Sequence, residues 1–117
     1  MIDREKIDRS WGYYEIIEDG GEFYNPYKIK NLVVFPNRCL SLQRHGKRNE
    51  FWLVKHGKGT MIIKEGDGLK AYELFPGDHY IIPVGAWHQL INGTSEVLEI
   101  HEIQYGPECN EEDIERK

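Results

Sequence analysis

Four residues whose side chains can bind metal ions lie near one another in predicted strands and turns. Gln43 and His45 are two positions apart, so on a strand their side chains point to the same face. After a four-residue loop Glu50 begins the next strand, and a tight antiparallel hairpin would place its carboxylate beside the first two. A turn rich in proline and glycine then leads to His88 and would return the chain to the same place. Two imidazoles and one carboxylate leave coordination positions open, as a catalytic metal requires.

A second interpretation of these four residues requires no metal. In it the two histidines are unconnected, Gln43 is a hydrogen-bonded strand residue, and Glu50 pairs with Arg48 or Lys47. Residue types alone leave both interpretations open. The decision therefore rests on the intervals between the residues.

The elements that would position these residues are short strands. Segments rich in β-branched and aromatic residues recur between turn signals, and no long helical pattern separates them. About nine strands without a long helix predict an all-β sandwich or barrel over residues 11–104. The predicted strands are Trp11–Ile17, Tyr27–Phe35, Leu40–His45, Glu50–Lys55, Gly59–Lys64, Lys70–Phe75, His79–Ile82, His88–Ile91 and Glu96–Gln104.

The two ends of the chain differ from this pattern. Residues 1–10 are polar and are expected to form an arm that is either ordered or frayed. Residues 105–117 form an acidic tail, in which Asn110 is a suitable N-cap for a short helix. Glu111 and Glu112 would then face the positive end of the helix dipole. The sequence therefore predicts a single domain over residues 1–117 with a short C-terminal helix.

Length and composition limit the possible classes of protein. A chain of 117 residues and 13.8 kDa fits one domain, and 39% hydrophobic with 30% charged residues is ordinary for a globular protein. The longest apolar runs have four residues, far fewer than the ~20 of a membrane span. The N-terminus lacks the apolar core of a secretory signal, and Cys39 and Cys109 are too few for a disulfide framework. We therefore expect a cytoplasmic protein with reduced cysteines and no membrane partner.

The net charge argues against nucleic acid as a partner. The chain has 15 Lys and Arg residues against 20 Asp and Glu, a net charge of −5, whereas nucleic-acid binding needs a cationic surface. An anionic small molecule is still compatible, because Arg44, Lys47 and Arg48 lie within five positions of one another. Charge runs are usually solvated loops, and this one is distinguished by its overlap with the candidate metal ligands.

The intervals resemble the two sequence motifs of the cupin superfamily. In the first motif the family usually has Gly where this chain has Asn37 and His where it has Gln43, and the second motif is matched throughout. So many agreements at fixed positions favour the metal interpretation. The resemblance implies a jelly-roll barrel, also called a double-stranded β-helix, with the four candidate residues as ligands of one divalent metal ion. The matched positions are Asn37, Gln43, His45, Glu50 and Gly57 in the first motif and Gly77, Pro83, Gly85, His88 and Asn92 in the second.

A narrower resemblance covers about residues 10–116. Several segments look like the type II phosphomannose isomerases, known best as the C-terminal part of bifunctional mannose-1-phosphate guanylyltransferases. The resemblance implies a stand-alone isomerase domain, since nothing corresponds to the nucleotidyltransferase part and no Gly-rich phosphate loop is present. It implies conversion of mannose 6-phosphate into fructose 6-phosphate through an enediol, with zinc as the first choice of metal and manganese, iron, cobalt or nickel as alternatives. The segments are Trp11–Tyr13, Tyr27–Lys30, Leu40–Gln43 with the residues up to Trp52, Tyr80–Pro83, Glu99–Gln104 and Glu112–Arg116.

Such a reaction needs an acid/base group besides the metal. Lys28 and Lys30 lie two apart on one strand, Glu102 lies near the end of the last strand, and each position matches the family. Burial would lower the pKa of a lysine or raise the pKa of Glu102 towards the value that proton transfer needs. The alternative for each of them is a solvated strand charge.

The phosphate group of the substrate needs a cationic site. Arg48 is the first candidate, because its position matches the family and a guanidinium binds oxyanions through two hydrogen bonds. Lys47 and Arg44 would contribute if their loop lines the mouth of the barrel.

Three departures from the family pattern keep other functions open. The family commonly has histidines at the positions of Gly46 and Lys47 and arginine at the position of Gln89. One alternative is a non-catalytic cupin that binds a sugar or a sugar phosphate. The other is a different metal-dependent cupin enzyme, either a dioxygenase or an isomerase of another sugar. Cupins of this size often pair through their N-terminal strands, so the resemblance also implies a homodimer with Trp11–Ile17 at its interface.

Overall fold

Antiparallel strands joined by turns make up the described part of the chain. The computed structural model describes residues 5–21 and 24–117; residues 1–4 of the predicted arm and residues 22 and 23 of the predicted barrel lie outside that part. The strands in chain order are β1 (Glu5–Arg9), β2 (Gly12–Gly20), β3 (Tyr27–Val34), β4 (Arg38–Cys39), β5 (Gln43–Arg44), β6 (Asn49–His56), β7 (Gly59–Glu65), β8 (Gly68–Leu74), β9 (His79–Ile82), β10 (His88–Asn92), β11 (Leu98–Tyr105) and β12 (Glu115–Arg116).

Two antiparallel sheets enclose the interior. The first sheet has the strand order β1-β2-β3-β11-β6-β9, and the second has the order β12-β5-β10-β7-β8, with β4 also paired to β10. Many neighbouring strands are distant in sequence, because the chain passes repeatedly from one sheet to the other, as in a jelly roll. The predicted all-β jelly-roll fold is confirmed.

The observed strands follow the predicted ones with three differences. The predicted strand Leu40–His45 is interrupted, since β4 ends before it and β5 contains only two of its residues. Residues 5–9 of the arm are ordered as β1, which pairs with β2. The predicted helix after Asn110 is wrong: the tail has a turn followed by β12, and the described residues contain no helix. Within them there is consequently no helix long and apolar enough to cross a membrane.

The tail is extended because its polar groups bond to the barrel. Asn110 accepts a hydrogen bond from the amide of Glu112, and the amide of Asp113 donates to the carbonyl of Asn110 at 3.0 Å, so one turn forms. Beyond this turn β12 pairs with β5, and the amide of Lys117 donates to the carbonyl of Leu42 at 3.0 Å. A helix of one or two turns is unstable alone in water, so these long-range bonds decide the conformation.

The interior is polar at one end and apolar towards the other. Along β11 the inward side chains change from Leu98 and Ile100 to Glu102 and Gln104, and all four are at most 4% exposed. Because β3 and β6 pair with β11 on either side, the polar residues of all three strands meet at the same end. The buried hydrophobic residues that pack together as the core are Tyr14, Leu32, Val34, Leu40, Trp52, Val54, Met61, Ile63, Leu74, Ile82, Leu90, Leu98 and Ile100.

Two positions of the first motif have a left-handed backbone. Asn37 has a φ of 58°, and asparagine adopts this conformation more readily than most residues, which explains how it replaces the usual glycine. Gly57 has a φ of 80°, and a Cβ atom there would lie 2.3 Å from the carbonyl oxygen of Val97. Backbone geometry therefore determines both ends of the segment that carries His45 and Glu50.

Asn92, the last position of the second motif, ties the two sheets together away from the polar end. Its side chain is fully buried, and Nδ2 lies 3.0 Å from the carbonyl oxygen of Val34 on β3 and 2.7 Å from that of Glu96. Its Oδ1 accepts hydrogen bonds from the amide and the hydroxyl of Thr94. The side chain thus connects β10 of the second sheet to β3 of the first and to the loop that follows β10.

Replacing Asn92 with alanine should destabilise the fold by about 2–4 kcal/mol, because several buried polar groups would lose their partners. The urea concentration at the unfolding midpoint measures this loss. Asn25→Ala, at an exposed position, is the matched control and should change the stability by less than about 0.5 kcal/mol. An Asn92→Ala protein that unfolds at the same urea concentration as the wild type would contradict this structural role.

Candidate metal centre

Three buried side chains with metal-binding atoms meet at the polar end of the interior. Glu50 lies on β6, His88 is the first residue of β10, and His45 directly follows β5. They are 2–3% exposed, and their ligand atoms all lie within 4.8 Å of one another. The second sheet supplies the histidines and the first sheet supplies the carboxylate, so the cluster lies between the sheets.

Backbone carbonyl groups fix the orientation of both imidazole rings. Nδ1 of His45 lies 2.8 Å from the carbonyl oxygen of Asp113, and Nδ1 of His88 lies 2.9 Å from that of Ala86. A carbonyl oxygen only accepts hydrogen bonds, so Nδ1 carries a proton in each ring and the lone pair of the neutral ring lies on Nε2. Metal-binding histidines are commonly held in this way.

The Nε2 atoms of the two histidines face the carboxylate of Glu50. Nε2 of His45 is 3.1 Å from Oε2, and Nε2 of His88 is 3.5 Å from Oε1. Two acceptors at such a distance need a proton or a cation between them. Donors bound to one tetrahedral ion at about 2.0–2.2 Å are themselves roughly 3.3–3.5 Å apart, so the donor set fits a divalent metal ion.

The same contacts control the ionisation of Glu50 and His88. Burial would raise the pKa of Glu50, but hydrogen bonds and positive charge from His45 and His88 hold it well below its usual range. Burial would lower the pKa of His88, but the hydrogen bond and charge of Glu50 raise it above the usual value. Glu50 is therefore ionised, as a metal ligand must be, and protons compete with a metal ion for the imidazole of His88.

Arg48 is buried against the cluster. Its Nε and Nη2 atoms both donate to Oε2 of Glu50 at 3.2 Å, and Nη2 is 3.3 Å from Nε2 of His45. Its Nη1 atom donates to the carbonyl oxygen of Asn110. The guanidinium group therefore neutralises the charge of Glu50, and its donors already have protein partners. The phosphate-binding role expected for Arg48 from the sequence stays a prediction.

Two rows of side chains cross the first sheet beside the cluster, because the antiparallel register aligns the inward faces of β3, β11 and β6. The residues of these two rows, apart from Lys28, line a cavity of about 290 Å³. Gln43 and His88 line the same cavity from the second sheet. This volume is near the lower end of small-molecule sites. In the order β3, β11, β6, the first row is Lys28, Gln104 and Glu50, and the second row is Lys30, Glu102 and Trp52.

Glu102 is a buried carboxyl group on the wall of this cavity. Its Oε2 accepts a hydrogen bond from the indole of Trp52 at 3.0 Å, and its Oε1 accepts one from the amide of Gln104 at 2.7 Å. Burial and the negative charge of Glu50 raise its pKa to about 7, although nearby cations act in the opposite direction. A carboxyl group of this kind can both accept and donate a proton near neutral pH.

The C-terminal tail supports the cluster from outside. The carboxylate of Asp113 accepts hydrogen bonds from the amides of Gly46 and Lys47, both at 2.8 Å. The carbonyl oxygen of the same residue holds the ring of His45. One residue of the tail therefore positions both a candidate ligand and the loop that follows it.

The two lysines expected to take part in proton transfer contact the tail. Lys30 is 3% exposed, and its ammonium group forms an ion pair with Glu111. The ammonium group of Lys28 is 3.5 Å from the same carboxylate. Both Lys30 and Glu111 line the cavity. A catalytic role for either lysine stays a prediction.

The other two basic residues expected to bind phosphate have protein partners on the surface. Arg44 is ion-paired with Glu115 and lies 4.9 Å from the centre of the larger ring system of Trp87. Lys47 is ion-paired with Glu108, and its side chain is 55% exposed. Neither is among the described residues that line the cavity. Their role in phosphate binding also stays a prediction.

Three residues of this site were not expected from the sequence: Asp113, Glu111 and Gln104. The acidic composition of the tail carries no signal that the carboxylates of Glu111 and Asp113 reach the site. Gln104 was detectable, because it is two positions after Glu102 on the same face of a predicted strand.

Comparison with known proteins places the whole chain in one family. A family model described as Mannose-6-phosphate isomerase C-terminal matches residues 2–117. Alginate biosynthesis protein AlgA of Pseudomonas fluorescens is 35% identical over 111 residues, which cover 95% of this chain and 21% of that protein. Mannose-1-phosphate guanylyltransferase 2 of Escherichia coli O157:H7 is 32% identical over 116 residues, which cover 99% of this chain and 22% of that protein. The chain thus spans about a fifth of the length of the curated relatives it matches.

A solved structure shares the fold. The capsular polysaccharide assembling protein CapF from Staphylococcus aureus has a TM-score of 0.81 to this chain, with 16% sequence identity. The similarity covers 97% of this chain and 32% of that protein. At this identity the likeness shows the fold alone.

The purified protein should bind one divalent metal ion per chain, and His88→Ala and Glu50→Gln should each reduce the bound metal to well below one ion. Elemental analysis after dialysis against zinc measures the content. His56→Ala is the matched control, because His56 is an exposed histidine at the far end of the strand that carries Glu50. Variants of His88 and Glu50 that retain as much metal as the wild type would show that the ion is held elsewhere.

Asp113→Ala should weaken metal binding by about 10–100-fold, because the ring of His45 and the following loop lose their support. Competition with a chromogenic chelator measures the affinity. Glu112→Ala, which removes the exposed neighbouring carboxylate, should leave it unchanged. Urea unfolding of the metal-free proteins separates this effect from a general loss of stability. Equal metal affinity in Asp113→Ala and wild type would refute the positioning role.

Proposed function

Because this chain belongs to the mannose-6-phosphate isomerase C-terminal family, we propose that it is a metal-dependent isomerase of aldose and ketose phosphates. Its proposed substrates are mannose 6-phosphate and fructose 6-phosphate. The observation that carries the proposal is the buried cluster of His45, Glu50 and His88 beside a cavity that also contains Glu102. The narrower sequence resemblance to type II phosphomannose isomerases supports the same reaction.

The cluster would hold one divalent ion through the two imidazoles and the carboxylate of Glu50. Gln43 is proposed as the fourth ligand, because it lies opposite His88 in the pairing of β5 with β10 and lines the cavity. When bound, such an ion supplies Lewis-acid stabilisation of negative charge on the sugar oxygens at C1 and C2. Zinc is the first choice for two imidazoles and a carboxylate, and manganese, iron, cobalt and nickel are the alternatives.

We assign the transfer of the proton between C1 and C2 to Glu102. Its carboxyl group is held on both oxygens, by Trp52 and Gln104, and it lies one strand away from Glu50 on the cavity wall. The reaction removes a proton from one carbon and returns it to the adjacent carbon, so a single fixed group can serve both steps. Burial limits exchange of that proton with solvent. Lys30 is the second choice, because its ammonium group is already ion-paired with Glu111.

A non-catalytic sugar-phosphate-binding protein is the second candidate function. The observation that favours it is the position of Arg48, whose Nη2 atom lies 3.3 Å from Nε2 of His45. A guanidinium at this position competes with a metal ion for the same lone pair. Such a protein would bind the sugar phosphate without converting it.

The expected homodimer is also a proposal. In the first sheet β2 lies between β1 and β3, and β1 is the outermost strand. A dimer formed by strand pairing at this edge would therefore use β1 (Glu5–Arg9) rather than the predicted Trp11–Ile17.

The zinc-loaded protein should form mannose 6-phosphate from fructose 6-phosphate, and a sample stripped of metal by a chelator should not. Chromatographic separation of the two sugar phosphates measures the conversion. Binding of fructose 6-phosphate without turnover would support the second candidate function. Stoichiometric metal with no isomerisation of any hexose phosphate would overturn the proposed enzyme activity.

Glu102→Gln should lower kcat by about 10²–10⁴-fold while the metal content stays at the wild-type value, because only the proton acceptor is removed. Glu99→Gln is the matched control, since Glu99 lies on the same strand outside the cavity lining. A wild-type kcat in Glu102→Gln would show that another group transfers the proton. Lys30→Met would then be the next variant to measure.

A further inference from the structure

Lys30 brings a positive charge into the interior of the barrel. Its side chain is 3% exposed, its ammonium group lies 4.3 Å from the centre of the Tyr14 ring, and its anionic partner is Glu111. A buried ammonium group without an anion beside it is strongly unfavourable, because it has lost its hydration and gained no counter-ion. An anion is therefore required at this point of the cavity.

Glu111 supplies that anion from the C-terminal tail. Its side chain is 41% exposed, so it approaches Lys30 from the solvent side. Burial would raise the pKa of Glu111, but the positive charges of Lys30, Arg48 and Lys28 hold it below its usual range. Arg48 is already paired with Glu50, which leaves two ammonium groups facing a single carboxylate. A phosphate ester, with up to two negative charges near neutral pH, matches this pair of cations better.

The distance from the metal centre suits a sugar with a terminal phosphate. Lys28 and Glu50 belong to one row across the first sheet and are two strands apart, roughly 10 Å. An extended hexose phosphate spans a comparable distance between its carbonyl end and its phosphorus atom.

Gln104 lies between these two ends. Its Oε1 atom is buried on the cavity wall and has no hydrogen-bond partner among the residues that the structure describes. A buried acceptor in this state requires a donor, and a sugar hydroxyl group is one. The row therefore offers a metal centre and a hydroxyl acceptor, and it ends at Lys28, whose ammonium group lies 3.5 Å from the cavity-lining carboxylate of Glu111.

From these contacts we propose that Lys28 and Lys30 form the subsite for the phosphate group of the substrate, and that Glu111 occupies this subsite until the substrate displaces it. The inference rests on the proposed function, because it states where the sugar phosphate of that reaction is held. It differs from the sequence-based expectation, in which the phosphate is held by Arg48 and its neighbours in the loop. The carboxylate of Glu111 keeps the buried cation paired in the free protein and moves towards solvent when the phosphate binds.

Binding of inorganic phosphate to the purified protein tests this subsite without requiring turnover. Isothermal titration calorimetry measures the dissociation constant. Glu111→Gln should tighten phosphate binding about tenfold by removing the competing carboxylate, and Lys28→Met should weaken it about tenfold by removing one ammonium group. Glu112→Gln and Lys64→Met, which alter exposed charges that form no ion pair with Lys28, Lys30 or Glu111 among the described residues, are matched controls and should change it less than about twofold.

Thermal unfolding provides a second measurement on the same variants. Without phosphate, Glu111→Gln should unfold at a lower temperature than the wild type, because Lys30 loses its counter-ion. Added phosphate should raise the midpoint of Glu111→Gln more than that of the wild type, because the anion binds only the folded protein. An equal phosphate-induced increase in the unfolding temperature of the two proteins would contradict displacement of Glu111.

Phosphate bound to a metal ion must be separated from phosphate bound to the lysines. The titrations are therefore repeated in proteins that also carry His88→Ala. Effects of Glu111→Gln and Lys28→Met that persist there support the lysine subsite. Loss of phosphate binding on His88→Ala alone would overturn it in favour of the metal centre.

Two further outcomes would overturn the subsite. One is an unchanged phosphate affinity in both Glu111→Gln and Lys28→Met, and the other is loss of binding in Lys47→Met or Arg44→Met instead. The isomerase assay distinguishes this failure from failure of the proposed function. If the protein binds phosphate as expected but isomerises no hexose phosphate, the subsite is supported and the proposed function is wrong. If it is an isomerase whose phosphate affinity is unchanged in both variants, the proposed function is supported and the subsite is wrong.

Discussion

A carboxylate that is only 2% exposed must be surrounded by donors or cations, and this requirement at Glu50 organises the polar end of the barrel. Both oxygen atoms have partners: His45 and Arg48 on one, His88 and Trp52 on the other. These partners come from different strands and one loop, so the sheets must close around Glu50 before its charge is compensated. The same compensation keeps the carboxylate ionised, which is the state that binds a metal ion. Closure of the two sheets therefore both completes the fold and keeps the carboxylate of the candidate metal site ionised.

The interior of the barrel has an apolar end that stabilises the fold and a polar end that carries the candidate site. The strands β3, β6 and β11 each change from apolar to polar inward residues along their length, and their antiparallel register brings the polar ends together. The polar end would be unstable alone, because it contains buried carboxyl, ammonium and guanidinium groups. Apolar packing and the hydrogen bonds of Asn92 at the opposite end supply stability that the site does not. A jelly roll suits this division, since every long strand runs from one end to the other.

The sequence predicts the parts of this structure that depend on local spacing. Strand spacing makes it possible to group His45, Glu50 and His88 without a structure, and the resemblance of the intervals from Asn37 to Gly57 and from Gly77 to Asn92 to the cupin motifs favours that grouping. The tail could not be predicted in the same way. Its acidic first turn favours a helix locally, whereas the structure uses the same residues for bonds to positions more than 60 residues earlier. Local propensity contains no information about those partners. The burial of Arg48 was missed for the same reason, because its partner Glu50 is near in sequence but its isolation from solvent depends on the tail.

The tail also connects the two ends of the cavity. Glu111 contacts the lysines of β3, and Asp113, two residues later, holds His45 and the loop after it. Two residues span at most about 7 Å, so a backbone movement at Glu111 would also reach Asp113. If the lysines bind an anion and the histidines bind a cation, as proposed, the two binding events would be energetically coupled, with the same magnitude of coupling in both directions. The electrostatic part of this coupling would be favourable, because opposite charges would then face each other across the cavity. Its conformational part depends on how far Asp113 follows Glu111, and the hydrogen bonds of Asp113 to two backbone amides oppose that movement.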